Sequence, residues 1–262
     1  MKQKIQNFLP AECPWRDTLH WFTSLNSTNE LAKTMAKNGA PEGTVVLAGH
    51  QSAGKGRLGR SFASPEGMGI YLSLLLRPDC PAERLMHLTC AAAVAACDAV
   101  EEVCGIRPSI KWINDLILGK KKLGGILTEL CVEQGIVQYA VIGIGINCSQ
   151  KTEDFPEDIQ NIAISLESFT GKPVNQAKLI GSLVSHLYKM NCRLFSWDFM
   201  ANYCRDCVTL GQEISIVRGD EISHGKAVGL DPQGGLIVAY ADGSGEIVNS
   251  GEVSIRGMYG YV

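Results

Sequence analysis

Three glycines and three cations share seven residues of this chain, Gly54 to Arg60 in "GKGRLGR", with Lys55, Gly56, Arg57 and Gly59 between them. Glycines let backbone approach a ligand closely, and clustered cations attract an anion. The letters satisfy two phosphate-binding patterns. Gly54, Gly56 and Gly59 spell a G-x-G-x-x-G dinucleotide turn, and Gly54 to Ser61 spells a P-loop with Arg60 where lysine belongs. Both devices need a helix opening at the loop, its N-terminus facing the phosphate. Here Pro65, Gly67 and Gly69 lead straight into a strand. Neither device is expected. The plain alternative is a surface loop with solvated charges. Like charges this close repel unless an anion lies between them, so the loop is expected to order around a phosphate or carboxylate.

Three further segments bring polar residues beside glycines. "KWIND" holds Lys111, Asn114 and Asp115. "KKLGGIL" sets Lys122 before Gly124 and Gly125, and "GIGIN" sets Gly143 and Gly145 before Asn147. Side-chain-free stretches on neighbouring strands leave a slot in a sheet surface. Singly, each has a bland reading: a bulge at the glycine pair, a lysine snorkelling to solvent. Together with the basic loop they require several coincidences. Upstream, Ser27 or Thr28 caps a helix marked by Leu31 and Met35, leaving the neighbour for binding. Cys204-x-x-Cys207 has no second pair, so two small residues at a domain joint are expected rather than zinc.

Elements must position these groups. "TVVLAGHQ" and "IYLSLLL" (70–76) read as strands, the second closed by "RPDCP". A helix is expected from Pro81 or Ala82 to about Cys104. "SIKWINDLIL", "KLGGILTELCVE" and "IVQYAVIGIGIN" are separated by "GKK" and "QG", breaks that suit hairpins and a largely antiparallel sheet. Helical spacing returns from about Asn175 to Asn202. After Cys207, short strands alternate with Gly, Asp, Asn and Ser, the texture of a small closed SH3-like barrel. The expected class is α+β: a mixed sheet with helices over residues 1–207, then a β-barrel over 208–262.

With 24 Lys and Arg against 27 Asp and Glu, the net charge is −3, and no bulk basic field argues for nucleic acid or an anionic membrane. No run suits a membrane span or signal peptide. Ten cysteines without an export signal suit a reducing cytoplasm.

"STN" at 27–29, "GKGRLGR", "KWIND", "KKLGGIL" and "GIGIN" resemble, in that order, the signature segments of the biotin protein ligases. The resemblance implies a catalytic domain related to class II aminoacyl-tRNA synthetases and an SH3-like C-terminal domain. It implies that biotin and Mg-ATP give biotinyl-5′-AMP, and that biotin then passes to a lysine of a biotin carboxyl carrier domain. By the same resemblance, Arg57 and Lys122 are catalytic, holding the biotin carboxylate and the α-phosphate. Ser27, Thr28, Asn29, Gln51, Lys55 and Gly56 bind biotin, with Gly125, Gly143 and Gly145 along its arm. Arg60, Phe62, Lys111, Asn114, Asp115 and Asn147 serve the nucleotide, Asp115 also Mg2+. No covalent enzyme intermediate is needed, in keeping with the lack of a Ser–His–Asp or Cys–His constellation.

The chain departs from the family pattern in three places. Lys55 stands where arginine is usual, Ile113 where "KWPND" has proline, and Phe62 where tryptophan is common. About twenty-five residues precede "STN", too few for the DNA-binding helix-turn-helix of some members, so a repressor role is not expected. A monomer or a homodimer is equally compatible. The rival readings are a lipoate–protein ligase of the same fold and a non-catalytic nucleic-acid-binding module.

Overall fold

The computed structural model describes residues 1–249 and the strand at 254–257. In chain order the first part holds α1 (Lys2–Gln6), β1 (Leu19–Phe22), α2 (Thr28–Lys37), β2 (Val45–Ala48), β3 (Gly69–Leu76) and α3 (Leu88–Cys104). Then come β4 (Ser109–Lys111), β5 (Asp115–Leu118), β6 (Lys121–Glu133), β7 (Ile136–Asn147), α4 (Leu166–Thr170), α5 (Gln176–Cys192) and α6 (Phe199–Asp206). The seven strands form one sheet in the order β1-β2-β3-β7-β6-β5-β4, and only β1 and β2 pair in parallel. The antiparallel expectation holds.

Both faces of this sheet are covered, which explains why β3 is apolar at nearly every position rather than alternating. Its period-2 side chains divide between two cores. Ile70, Leu72, Leu74 and Leu76 join the helices α3 and α5 in the main core, while Leu75 joins Ala32 and Ala36 of α2. Because α2 lies on that second face, its N-terminal residues Ser27–Asn29 face the middle of the sheet.

Three expectations need correction. The segment "SIKWINDLIL" is two strands, β4 and β5, joined by a turn at 112–114 whose Trp112–Ile113 peptide is cis. The helix expected from Pro81 begins at Leu88, after a short 3-10 turn at Ala82–Leu85. The helical run to Asn202 is broken by residues 193–198, where Trp197 takes φ of 62°. There Leu194 is buried and its carbonyl meets His87 Nε2 at 3.0 Å, so tertiary contacts override helical propensity. Strand β1 was not anticipated. It is four residues long and pairs in parallel, so no hairpin turn announces it.

Beyond α6, β8 (Glu213–Arg218), β9 (Glu221–Leu230), β10 (Leu236–Ala239), β11 (Gly245–Val248) and β12 (Ser254–Gly257) form an antiparallel sheet ordered β11-β10-β9-β8-β12. The other residues expected in the barrel, 250–253 and 258–262, lie outside the described residues. Ile214, Ile216, Ala227, Leu236, Val238 and Val248 belong to the same hydrophobic cluster as α3 and the large sheet. Asp206 accepts from Arg107 Nε at 2.9 Å and Nη2 at 2.6 Å, pinning the chain just before this second sheet.

All ten cysteines are free thiols. Cys192 is exposed, Cys204 is half-buried, and Cys207 is buried where α6 gives way to the second sheet. Burial pushes the Cys90 thiol up to about 12. Among the described residues no group of His, Cys, Asp and Glu could hold a metal ion, and no helix is long and apolar enough to cross a membrane.

Candidate active site

The glycine-rich loop closes on itself. Lys55 and Ser61 form an antiparallel bridge, the Gly56 N–H donates to the Arg60 carbonyl at 2.7 Å, and the Phe62 N–H to that of Gly54 at 2.9 Å. Between them Arg57–Gly59 makes one 3-10 turn, and no helix intervenes before β3. Its three charges point to different partners. Lys55 Nζ pairs with Glu30 at 2.5 Å and Arg60 is exposed, whereas Arg57 turns inward and donates to Asn114 Oδ1 at 3.1 Å. A carboxylate on α2 thus answers one of the three charges, while Arg60 still repels Arg57.

The loop borders a cavity of about 240 Å3 against β6 and β7. Glycine is forced along this wall by its neighbours. A Cβ on Gly143 would lie 2.2 Å from Asn29 Oδ1, and one on Gly145 would lie 2.5 Å from the Phe62 ring. Phe62 therefore fills space that a side chain on β7 would take.

Two polar clusters share the cavity. The first is neutral. Thr28 donates to Gln51 Oε1 from its N–H at 2.8 Å and its hydroxyl at 3.0 Å, and Gln51 Nε2 donates to Ser64 Oγ at 2.9 Å. Ser73 Oγ meets Thr28 Oγ1 at 2.8 Å and Asn29 Oδ1 at 2.5 Å, while Asn29 Nδ2 donates to Glu129 at 2.8 Å. Ser27 occupies the N-cap position of α2 but makes no side-chain capping bond, so capping does not consume its hydroxyl.

The second cluster is charged. Lys122 Nζ pairs with Asp115 Oδ1 at 2.6 Å, and Arg57 stands over Asn114 beside them. Burial holds the Arg57 guanidinium pKa below its ordinary value, an effect the Asp115 carboxylate offsets only in part. Asn114 is fixed twice to β6, its Nδ2 donating to the Ile126 carbonyl at 3.0 Å and its own carbonyl accepting the Ile126 N–H at 2.9 Å. The backbone of Lys122 is held by a neighbouring segment: its N–H donates to Ile162 O at 2.6 Å and its carbonyl accepts the Ile164 N–H at 2.9 Å. Asn147 Nδ2 donates to the Ile164 carbonyl at 3.1 Å.

Every residue given a catalytic or binding role from the sequence lines this cavity except Lys111, which is buried on β4 and off the wall. Sequence reasoning missed Phe155, Ile159, Ile162 and Ala163, an apolar wall supplied by the segment before α4. Their only signal is apolar residues spaced through an otherwise polar stretch, "FPEDIQNIA". A slot with neutral hydrogen-bonding groups, apolar walls and several cations, Arg57 and Lys122 among them, suits a ligand with a neutral polar head, an apolar arm and an anionic end.

Residues 21–147 match the biotin/lipoate A/B protein ligase family, and residues 209–256 match the biotin protein ligase C-terminal domain. The bifunctional ligase/repressor BirA of Bacillus subtilis is 36% identical over 234 residues, covering 86% of this chain and 70% of that protein. A biotin–[acetyl-CoA-carboxylase] ligase of Paracoccus denitrificans is 31% identical over 238 residues, 88% of this chain and 98% of that one. Among solved structures, the biotin protein ligase of Aquifex aeolicus in complex with biotin and ATP superposes with a TM-score of 0.77 at 30% identity, over 91% of this chain and 98% of that chain. With the fold, both matched segments and the cavity in agreement, this chain belongs to the biotin protein ligases within the biotin/lipoate A/B protein ligase family.

Proposed function

We infer that the chain activates biotin with ATP and transfers it to a lysine of a biotin carboxyl carrier domain. The observation that carries this is the pairing, in one cavity, of a neutral hydrogen-bonding cluster with Arg57 and the Asp115–Lys122 pair. The ureido ring of biotin has N–H donors and a carbonyl acceptor, which matches Ser27, Thr28 and Gln51 and the backbone at Lys55 and Gly56. Asn29 is tied to Ser73 and Glu129 and acts by fixing that cluster. Gly125, Gly143 and Gly145 leave room for the apolar arm.

In the first step a biotin carboxylate oxygen attacks the α-phosphorus of ATP, and the bond to the pyrophosphate oxygen breaks. Both reactants are anions, so the barrier falls when fixed positive charge lies where they meet. Arg57 supplies a planar fork for the carboxylate, and Lys122, oriented by Asp115, supplies a point charge for the α-phosphate. In the second step the acceptor lysine amine attacks the acyl carbon, AMP leaves with the bonding electrons, and the amine loses its proton to solvent. Phe62 offers an aromatic face for adenine, with Arg60, Asn114 and Asn147 on the nucleotide side, and Lys111 lies behind them on β4. Mg2+ arrives with the triphosphate as part of the substrate. Asp115 is the carboxylate on the cavity wall, enough for an ion that takes one or two carboxylates and otherwise phosphate and water oxygens. The division into a catalytic domain to residue 207 and a C-terminal domain from 208 belongs to the same reading, supported by the end of α6 at Asp206 and the second family match from 209.

The test is incubation with biotin and Mg-ATP, read by mass spectrometry for biotinyl-AMP and pyrophosphate, then addition of a carrier domain. Lipoate is run in parallel. Adenylation of lipoate with biotin left untouched would sink the reading.

A further inference from the structure

The turn at 112–114 and the first residue of β5 carry the partners of both Arg57 and Lys122. Asn114 is fixed to β6, but Trp112 and Ile113 are held from outside the large sheet. Asn114, which receives Arg57, and Asp115, which pairs with Lys122, follow one another directly. Behind them Trp112 and Ile113 are buried, 4% and 3% exposed. Three buried hydrogen bonds secure this pair. The Trp112 N–H donates to Thr209 Oγ1 at 2.9 Å, the indole Nε1–H to the Gly234 carbonyl at 2.9 Å, and Tyr203 Oη to the Ile113 carbonyl at 3.1 Å. The backbone adds a fourth tie, from the Val208 N–H to Ile110 O at 2.9 Å.

Trp112 itself lines the cavity, whereas its partners Thr209 and Gly234, and Tyr203, do not. Tyr203 belongs to α6, and Thr209 and Gly234 belong to the segment that carries the second sheet. The Gly234 turn is itself built to present that carbonyl. Asp231 Oδ1 accepts the N–H of Gln233 at 2.8 Å and of Gly235 at 2.7 Å, and Gly234 takes φ of 84°. A Cβ on Gly234 would come 3.0 Å from Cys90 Sγ, so the turn is seated against α3.

We propose that the Thr209 hydroxyl, the Tyr203 hydroxyl and the Gly234 carbonyl form a bracket that sets the register of the 112–115 turn, and through it the aim of Arg57 and Lys122. They are positioning residues. Buried polar groups are pinned by their partners because losing one leaves the other unsatisfied. Removing one bracket bond therefore lets the turn relax toward another partner, and a misplacement of about 1 Å in reacting groups costs up to ~100-fold in rate. The neutral cluster on α2 and β3 does not depend on this turn, so the bracket should act at the charged end, where Arg57 meets the biotin carboxylate and Lys122 the α-phosphate, and weaken biotin binding less than adenylate formation. The inference rests on the ligase reading above.

The test compares Thr209→Val, Thr209→Ser and Tyr203→Phe with the parent, well below each melting temperature. Adenylate formation is followed by pyrophosphate release, and biotin and ATP affinities by calorimetry. Thr209→Val should lower kcat for adenylate formation about tenfold or more, while biotin affinity falls by a smaller factor. Thr209→Ser should restore the rate, and Tyr203→Phe should move it in the same direction as the valine. Parental rates in Thr209→Val overturn the proposal. So does a loss of biotin affinity as large as the loss of rate, or a serine variant that fails to recover. If the parent makes no adenylate, the ligase reading fails and the bracket is judged on ATP affinity against biotin affinity; if it binds no ATP either, both fall.

Discussion

Lys122 is held at three points: its ammonium by Asp115, its N–H by Ile162 and its carbonyl by Ile164. Such a cation does not have to be ordered when the anions arrive, and fixed charge of this kind is worth about two to three orders of magnitude in rate. Lys122→Ala should therefore lower adenylate formation by about 100-fold or more while circular dichroism stays parental; near-normal turnover would remove it from the catalytic pair. Gly143 makes the complementary case. Its missing side chain is what leaves Asn29 in place, since a Cβ would fall 2.2 Å from Oδ1. Gly143→Ala should raise the biotin Kd at least tenfold, and an unchanged Kd in calorimetry would show that Asn29 can move without consequence. Residue types were legible at this scale because cations, amides and glycines announce their chemistry. Partners were not: nothing in "GKGRLGR" tells that Lys55 looks to Glu30 and Arg57 to Asn114, which lie 25 and 57 residues away along the chain.

Among the elements, the glycine-rich loop and α2 are tied by charge. Glu30 accepts from Lys33 and Lys55, and these bonds hold its carboxyl at about 2 rather than the ordinary 4.5. A carboxylate lowered on folding adds stability that is complete above its unfolded value and lost as pH falls through the folded one. The tie should thus persist at neutral pH and disappear between about 4.5 and 2. Being exposed, it contributes less than about 1 kcal/mol. Denaturant titration of Glu30→Gln should show a small deficit at pH 7 that vanishes near pH 2; a deficit constant with pH would show that the loop is tied by something other than this charge. Long elements were readable from their period and from the two-residue breaks of the hairpins. The misreadings fall where no local signal exists: β1, recruited in parallel by β2; the 193–198 interruption, set by contacts with His87; and the wall at 155–163, whose apolar residues answer a cavity rather than a helix or strand.

For the molecule as a whole, the second sheet is not a free satellite. Its buried residues share one hydrophobic cluster with α3 and the large sheet, and Trp112 bonds across to Thr209 and Gly234. Cooperative units follow shared cores rather than family boundaries. Calorimetry should show a single unfolding transition, and a chain cut after residue 207 should lose it; two separated transitions would make the sheets independent. The sequence showed where the texture changes, at Cys207, but not that the turn of "KWIND" is secured from beyond that point. The thiols supply an optical clock for the same event. With Cys192 at the surface and the others wholly or partly enclosed, a coloured maleimide should mark Cys192 first on the folded protein and reach all ten sulfurs once the chain opens. Stoichiometry of dye per chain then counts the unfolded fraction directly, with no substrate present.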